Sequence, residues 1–304
     1  MRFALALWIA AAAQAGDLAW VEKGGTLLEL TENSALVLAY HHGQGRNCCY
    51  VHPIASPAGV ILTDDGPADH RHHRGLFWGW PVLDANGQRY DSWLQKGIEH
   101  ANERVSHRIE PTGIAELEAA QTWRAGGRIL MRDRLVLRAH PASDGARVIE
   151  AALTIEAVGA PVTLAGAPEQ NKGYGGFSVR FAPRTDTRLL SSEGKLAKDE
   201  DHGAHEWAAL EGVFAQGRAG LRITAGRGNP GFPNHWCLRH YGFTGANFPG
   251  VTPVRLEPGR PVTLRYTVRV WDGASGAAGA RPTGASTQVE HALGPLPAAP
   301  QVFR

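Results

Sequence analysis

"PVTLRYTVRVW", Pro261 to Trp271, alternates apolar and polar side chains without interruption. Extended, it puts Val262, Leu264, Tyr266, Val268 and Val270 on one face and Thr263, Arg265, Thr267 and Arg269 on the other, as in a half-buried strand. "RVIEAALTIEAV", Arg147 to Val158, repeats the pattern with Ile149, Ala151, Leu153 and Ile155 against Glu150, Ala152, Thr154 and Glu156. Strands with one wet face belong to antiparallel sheets. Working outward, further strands are expected over residues 26–40, 59–62, 75–80, 129–137, 162–164, 176–181 and 220–224. Turn signals such as "DANG", "ASDG", "EPG" and "GNPGFPN" fall between them. Residues 201–210 and 287–293 are candidates for short helical turns, and no longer 3.6-residue stripe with caps is present. The chain therefore reads as all-β, a large antiparallel β-sandwich.

The first residues, "MRFALALWIAAAAQAG", combine a basic start at Arg2, an apolar run from Phe3 to Ala13 and a small-residue A-x-A pattern ending at Ala15. This predicts a signal peptide over residues 1–15, a periplasmic or secreted mature protein, and no membrane insertion after cleavage. No later stretch has the roughly 20 unbroken apolar residues of a membrane-spanning helix. A single domain is expected over residues 16–272, followed by a Gly-, Ala- and Pro-rich tail over 273–304 that is poor in large apolar residues. The chain has 31 Lys and Arg against 29 Asp and Glu, a balance that gives nucleic acid no long-range attraction. Cys48, Cys49 and Cys237 permit several disulfide pairings or none, and they receive no catalytic role.

The chemistry concentrates in "DHRHHRGLFWGW", Asp69 to Trp80. Six of the 14 histidines, His41, His42, His52, His70, His72 and His73, fall between positions 41 and 73, and imidazole is the side chain best suited to proton transfer near neutral pH. If Asp69 to Arg74 is extended, His70, His72 and Arg74 share one face and Asp69, Arg71 and His73 the other. An H-x-H pair serves equally as two metal ligands or as an acid and a base. For a metal, His70 and His72 are the first ligands, with His100, His235, His41 and Glu169 available to complete the set; Arg71 and Arg74 weigh against a cation there. No cofactor is predicted, and a divalent metal is the alternative.

A second constellation, Gly228 to Gly250, carries Asn234, His235, Trp236, Arg239, His240 and Tyr241 on a loop-like composition. Trp78, Trp80 and Trp93 adjoin the histidines, and aromatic faces beside hydrogen-bonding groups suit a sugar ring. "EQNKGYGGF", Glu169 to Phe177, adds a carboxylate, a lysine and a glycine-rich turn. There is no G-x-S-x-G elbow, phosphate-binding loop or C-x-x-C pair.

Four segments, "YVHPIASPAGV" (Tyr50 to Val60), "DHRHHRGLFWGW", "SWLQKGIEH" (Ser92 to His100) and "PNHWCLRHYGFTGANFPGVTPVRLEPG" (Pro233 to Gly259), resemble the bacterial PmoA-like family, which takes its name from a methane oxygenase. The resemblance spans most of the mature chain. It implies an exported β-sandwich in bacteria that degrade polysaccharides, similar in broad outline to the galactose-mutarotase supersandwich. Methane oxidation is set aside, because the membrane oxygenase sits among transmembrane helices and this chain has none after its leader.

The expected function is that of an exported carbohydrate-active enzyme, a lyase, hydrolase or epimerase acting on a sugar or modified sugar, with a small molecule or oligosaccharide as partner. His70 and His73 are the expected acid/base groups, Arg74 and Arg239 orient or neutralise an oxyanion, and His100 and His235 complete the wall. His52, His72, Trp78, Trp93, Asn234 and Tyr241 are expected to contact substrate. A non-catalytic carbohydrate-binding protein and a metal-dependent enzyme are the alternatives.

Overall fold

The structure, a computed structural model, describes residues 17–43 and 49–273. The expected signal peptide (1–15) and the expected tail from residue 274 on lie outside the described residues, as do Cys48 and the expected helical turn over 287–293. Within them the fold is all-β: every strand pair is antiparallel, and the only helical element is a single 3-10 turn, Pro168–Gln170.

Two nine-stranded sheets form a sandwich. The first runs, in spatial order, Leu18–Lys23, Leu27–Glu32, Ala35–His41, Tyr50–Ile54, Leu76–Gly79, Gly176–Arg180, Phe243–Asn247, His235–Arg239 and Glu200–Ala204. The second runs Gly194–Leu196, Thr185–Ser191, Trp207–Phe214, Gly217–Ala225, Val262–Asp272, Ala146–Ala157, Arg128–Ala139, Ala115–Ala125 and Glu99–Ile109. A small sheet, Val254–Leu256, Val162–Ala165, Val82–Ala85 and Gln88–Tyr90, stands beside them.

The opening stretch lies near the middle of the second sheet. Leu264, Tyr266, Val268 and Val270 are buried, while Thr263, Arg265, Thr267 and Arg269 stay partly exposed. Tyr266 stacks on Phe177 of the first sheet at 4.4 Å between ring centroids, so the two inner faces share one core. Glu150 departs from its expected wet face: Arg138 and His140 cover it through ion pairs of 3.2 and 2.9 Å, leaving it 5 % exposed.

Several expected elements differ. Residues 26–40 make two strands, because Asn33 and Ser34 adopt positive φ of 49° and 68° and reverse the chain. Residues 59–62 contribute one isolated bridge, Ile61 to Ala55, instead of a strand. The expected helical turn over 201–210 is the end of one strand and the start of another. Ala115–Ala125 is rich in helix-favouring Ala and Glu, yet Ala115, Leu117, Ala119, Gln121 and Trp123 are inward at period two, and burial overrides propensity.

A polar network runs through the core between the sheets. Asp133 Oδ2 accepts from Trp123 Nε1 at 2.5 Å, His100 Nε2 at 3.0 Å and Trp78 Nε1 at 3.2 Å. The backbone N–H of Cys49 donates to His100 Nδ1 at 3.2 Å, which places the ring proton on Nε2. Gln121, with its amide nitrogen toward the carboxylate, donates to Asp133 Oδ1 and accepts from the Tyr40 hydroxyl. His100 stacks on Trp123 at 3.8 Å. Four donors on one buried carboxylate satisfy groups that would each be costly alone.

Candidate active site

The site lies on the outer face of the first sheet. Alternation sends Leu76, Trp78, Trp236, Leu238 and Ala246 into the sandwich and leaves Phe77, Cys237 and Gly245 facing outward. Register aligns Cys237, Gly245, Ser178 and Phe77 across four neighbouring strands. Gly245 and Ser178 keep the floor low, since a Cβ on Gly245 would stand 3.0 Å from both Phe243 and Ser178 Oγ. Tyr50, Phe77, Trp93, Cys237 and Phe243 form an apolar cluster there, with Tyr174 packed against it. Such a cluster on the outside of a sandwich needs a cover, and the loop carrying Trp93 and Leu94 supplies part of it. Trp93 meets Phe77, Tyr174, His73 and Phe243 at ring distances of 5.0, 5.2, 5.6 and 5.9 Å.

The histidines arrive on turns, not on an extended strand. His70 N donates to Pro67 O at 3.1 Å and His73 N to His70 O at 2.9 Å, two successive turns closed by Gly66 N to His73 O at 2.8 Å. This corrects the expected alternation: His70 and His73, placed on opposite faces by an extended chain, stack at 4.5 Å with planes 15° apart. The strand begins only at Leu76. Gly75 precedes it because a Cβ there would lie 2.2 Å from Val51 O, so close packing and not φ requires glycine.

Arg180 fastens the turns to the sheet. Its Nη2 donates to both oxygens of Asp69 at 2.8 Å, and its guanidinium lies 4.8 Å over the Tyr241 ring. Tyr241 in turn stacks on His70 at 5.1 Å, giving a column Arg180, Tyr241, His70, His73 that ends against Phe243. Asp69 Oδ2 also stands 3.0 Å from His70 Nδ1. Burial works against the Asp69 carboxylate, yet the hydrogen bonds from Arg180, with His70 close by, hold it at about 2.

Beside this column opens a cavity of about 330 Å³ lined by His70, His72, His73, Trp93, Leu94, Lys172, Tyr174, Cys237, Arg239, Tyr241 and Phe243. Burial, with His70 and Arg74 nearby, lowers His72 to about 4. Burial, then His72, His70 and Arg180, lowers His73 to about 2. Both rings are neutral at neutral pH; half-buried His72 is placed to accept a proton, whereas His73, 3 % exposed, resists one and does not serve as the expected acid/base group. Burial raises Cys237 to about 11, and burial with Cys237 raises Tyr241 to about 12, so both keep their protons. The wall therefore combines proton acceptors and proton donors in one space.

The buried His73 makes stability depend on pH. Its unfolded imidazole protonates near 6.5, whereas the folded one resists down to about 2. As pH falls below about 6.5 the unfolded state binds the proton first, and stability drops by up to about 1.4 kcal/mol per pH unit. His73→Phe, which suits the Phe77, Trp93 and Phe243 cage, is expected to remove this slope. Urea unfolding at pH 7 and pH 5 should show the wild type losing about 2 kcal/mol more than the variant; equal losses would mean that His73 is solvated.

Of the expected site residues, the structure brings His70, His72, His73, Trp93, Arg239 and Tyr241 to the cavity wall. Arg239 is held by Glu200 O at 2.6 Å and by the Asp201 carboxylate. Arg74 points elsewhere, pairing with Asp65 at 2.6 Å and covering Tyr50. His100 and Trp78 are committed to Asp133 in the sandwich interior. His52 binds Thr63 Oγ1 at 3.0 Å on a neighbouring strand, and burial lowers its pKa. Asn234 is buried with Nδ2 on Asn247 O, and His235 is exposed at the start of its strand; neither lines the cavity. Leu94, Tyr174, Cys237, Phe243 and the supporting Arg180 were not expected, while Lys172 is the lysine that "EQNKGYGGF" offered as a group to approach a ligand.

For a metal, the expected pair His70 and His72 meets edge to face at 5.8 Å. Of the further ligands considered, His100 is in the core, His41 stacks on Tyr50 and Glu169 pairs with Arg89. Among the described residues no group of three or more His, Cys, Asp and Glu side chains is placed to hold a metal ion.

Comparison with known proteins adds three findings. The sequence family described as "Family of unknown function (DUF6807)" matches residues 28–282. No curated protein matches the chain. Among solved structures, the crystal structure of a GalM/aldose epimerase homologue from C. elegans is similar over 85 % of this chain and 98 % of that chain, at 10 % identity and a TM-score of 0.36.

Proposed function

The chain belongs to the family of unknown function DUF6807, and from its cavity we propose that it is a carbohydrate-active enzyme that moves protons with imidazole and phenol groups. One observation carries this reading: neutral His72 and protonated Tyr241 face the same aromatic-walled cavity. Its 330 Å³ lies at the small end of ligand pockets (about 300–1,000 Å³), the size of a single sugar ring. Trp93 and Phe243 offer aromatic surface to the apolar side of such a ring, while Tyr241, stacked between Arg180 and His70, presents its hydroxyl, and the polar groups offer directional hydrogen bonds.

The chemistry favours a lyase or an epimerase over a hydrolase. Glycoside hydrolysis ordinarily uses two carboxyl groups flanking the bond, and among the described residues no carboxylate lines this cavity. Here His72 accepts a proton from the sugar, Tyr241 donates or shares one, and His70, held between Tyr241 and His73, orients the pair. The wider proposal, an exported protein of the PmoA-like kind, rests on the Asp69 to Gly75 and Pro233 to Gly259 segments and on the leader-like start.

The test is turnover by the purified chain on a panel of oligosaccharides, glycosides and their oxidised derivatives, repeated with Trp93→Phe. Trp93 is 5 % exposed and packed among aromatics, so phenylalanine preserves the cluster better than alanine. Turnover by the wild type, with KM raised about two- to tenfold in the variant, is the expected result. Binding of a sugar without any turnover would favour a carbohydrate-binding protein, and no binding across the panel would end the carbohydrate reading.

A further inference from the structure

We propose that the cavity takes a sugar bearing an anionic substituent, a carboxylate or a sulfate ester, with Lys172 as its counter-charge. This rests on the carbohydrate reading above and narrows its substrate class.

The inference comes from charge bookkeeping around the wall. Among the described residues that line the cavity, Lys172 and Arg239 carry a full positive charge and none carries a negative one. Arg239 is already neutralised by Asp201 and fixed by the carbonyls of Glu200 and Leu238. The Lys172 ammonium has no carboxylate or hydrogen-bond partner among the described residues, although it stands near enough to Cys237 to favour the thiolate there. Surrounding acids are engaged elsewhere: Asp69 with Arg180, Asp199 with His240, and Asp91 with the backbone N–H of Leu94 behind Tyr174.

The backbone fixes where this lysine stands. Ala167 and Lys172 exchange main-chain hydrogen bonds of 2.7 and 3.0 Å, closing the short turn that holds the 3-10 element. The Lys172 carbonyl lies 2.7 Å from where a Cβ on Gly166 would sit, so the turn is packed tightly at its base. A lysine stem rooted there, at the rim of a cavity floored by aromatic rings and neutral imidazoles, leaves an uncompensated cation beside the space a ring would fill. An anionic substituent placed against it gains a charge-assisted hydrogen bond that a hydroxymethyl group at the same position does not.

Calorimetric titration of the full chain with matched sets of a hexose, its uronate and its 6-sulfate, for glucose, galactose and mannose, reads this directly. The expected result is binding of at least one anionic member about tenfold tighter than its neutral parent, a difference of about 1.4 kcal/mol. That preference should shrink with added salt and disappear in Lys172→Met, in which the anionic member binds no more tightly than its neutral parent. Lys172 is exposed, so the variant is expected to fold. Tighter binding of uronate than of sulfate, or the reverse, identifies the substituent. Neutral sugars binding as tightly as their anionic partners, or a preference that survives in Lys172→Met, would overturn the inference and leave the carbohydrate reading standing. Absence of binding by every sugar would overturn both.

Discussion

Replacement of His72 by Gln is expected to lower turnover by about 10²- to 10⁴-fold while the melting temperature stays close to that of the wild type. The residue is half-buried at the cavity wall and its ring contacts are edge-on, to His70, His73 and Trp93. Glutamine keeps a polar group of similar reach but cannot take up a proton. In the free protein burial, His70 and Arg74 hold His72 at about 4, which makes it a weak acceptor. An anionic substrate beside it favours the imidazolium and strengthens the base when it is needed. The kcat/KM profile, which reports the free enzyme, should therefore fall on the acid side only near pH 4, and the kcat profile at a higher pH. Turnover of His72→Gln within about threefold of wild type would move the proton acceptor elsewhere.

Asp133→Ala is expected to cost about 3–5 kcal/mol of stability. The substitution leaves the N–H groups of Trp78, Trp123, His100 and Gln121 without an acceptor in the sandwich interior. Each unsatisfied buried donor costs about 1–3 kcal/mol, partly relieved by rearrangement or an entering water. Asp133→Asn keeps one acceptor oxygen and should cost less. Urea unfolding of the three proteins checks the order; a loss below about 1 kcal/mol for Asp133→Ala would show that the network contributes little.

Period-two alternation made the sandwich legible, because a strand that is half solvated writes its burial into every second residue. The same parity also marks the polar network: Asp133 falls in step with Met131, Leu135 and Leu137, and Gln121 with Leu117, Ala119 and Trp123. An acid on an inward position is a readable sign of a buried acceptor, but its donors arrive from strands far apart in sequence. The histidine segment was legible as a site and illegible as a shape. Two turns stacked His70 on His73, and those turns are closed by backbone bonds with no side-chain signature. Arg180 and Lys172 lie about a hundred residues from the histidines, in a strand and a glycine-rich turn of ordinary composition. His100 shows the reverse case, where proximity in sequence to Trp93 suggested the wall and strand register carried it into the core.

The most direct measurement of the central claim is the ¹⁵N spectrum of the histidine rings of the full chain between pH 4 and pH 8, alone and with an added sugar. The account expects His72 and His73 to remain neutral through pH 5, with about 4 and about 2 as their titration points. It expects the His70 and His72 signals to move when a bound sugar occupies the cavity. Imidazoles that titrate together near 6.5 and do not respond to a sugar shown to bind would contradict it.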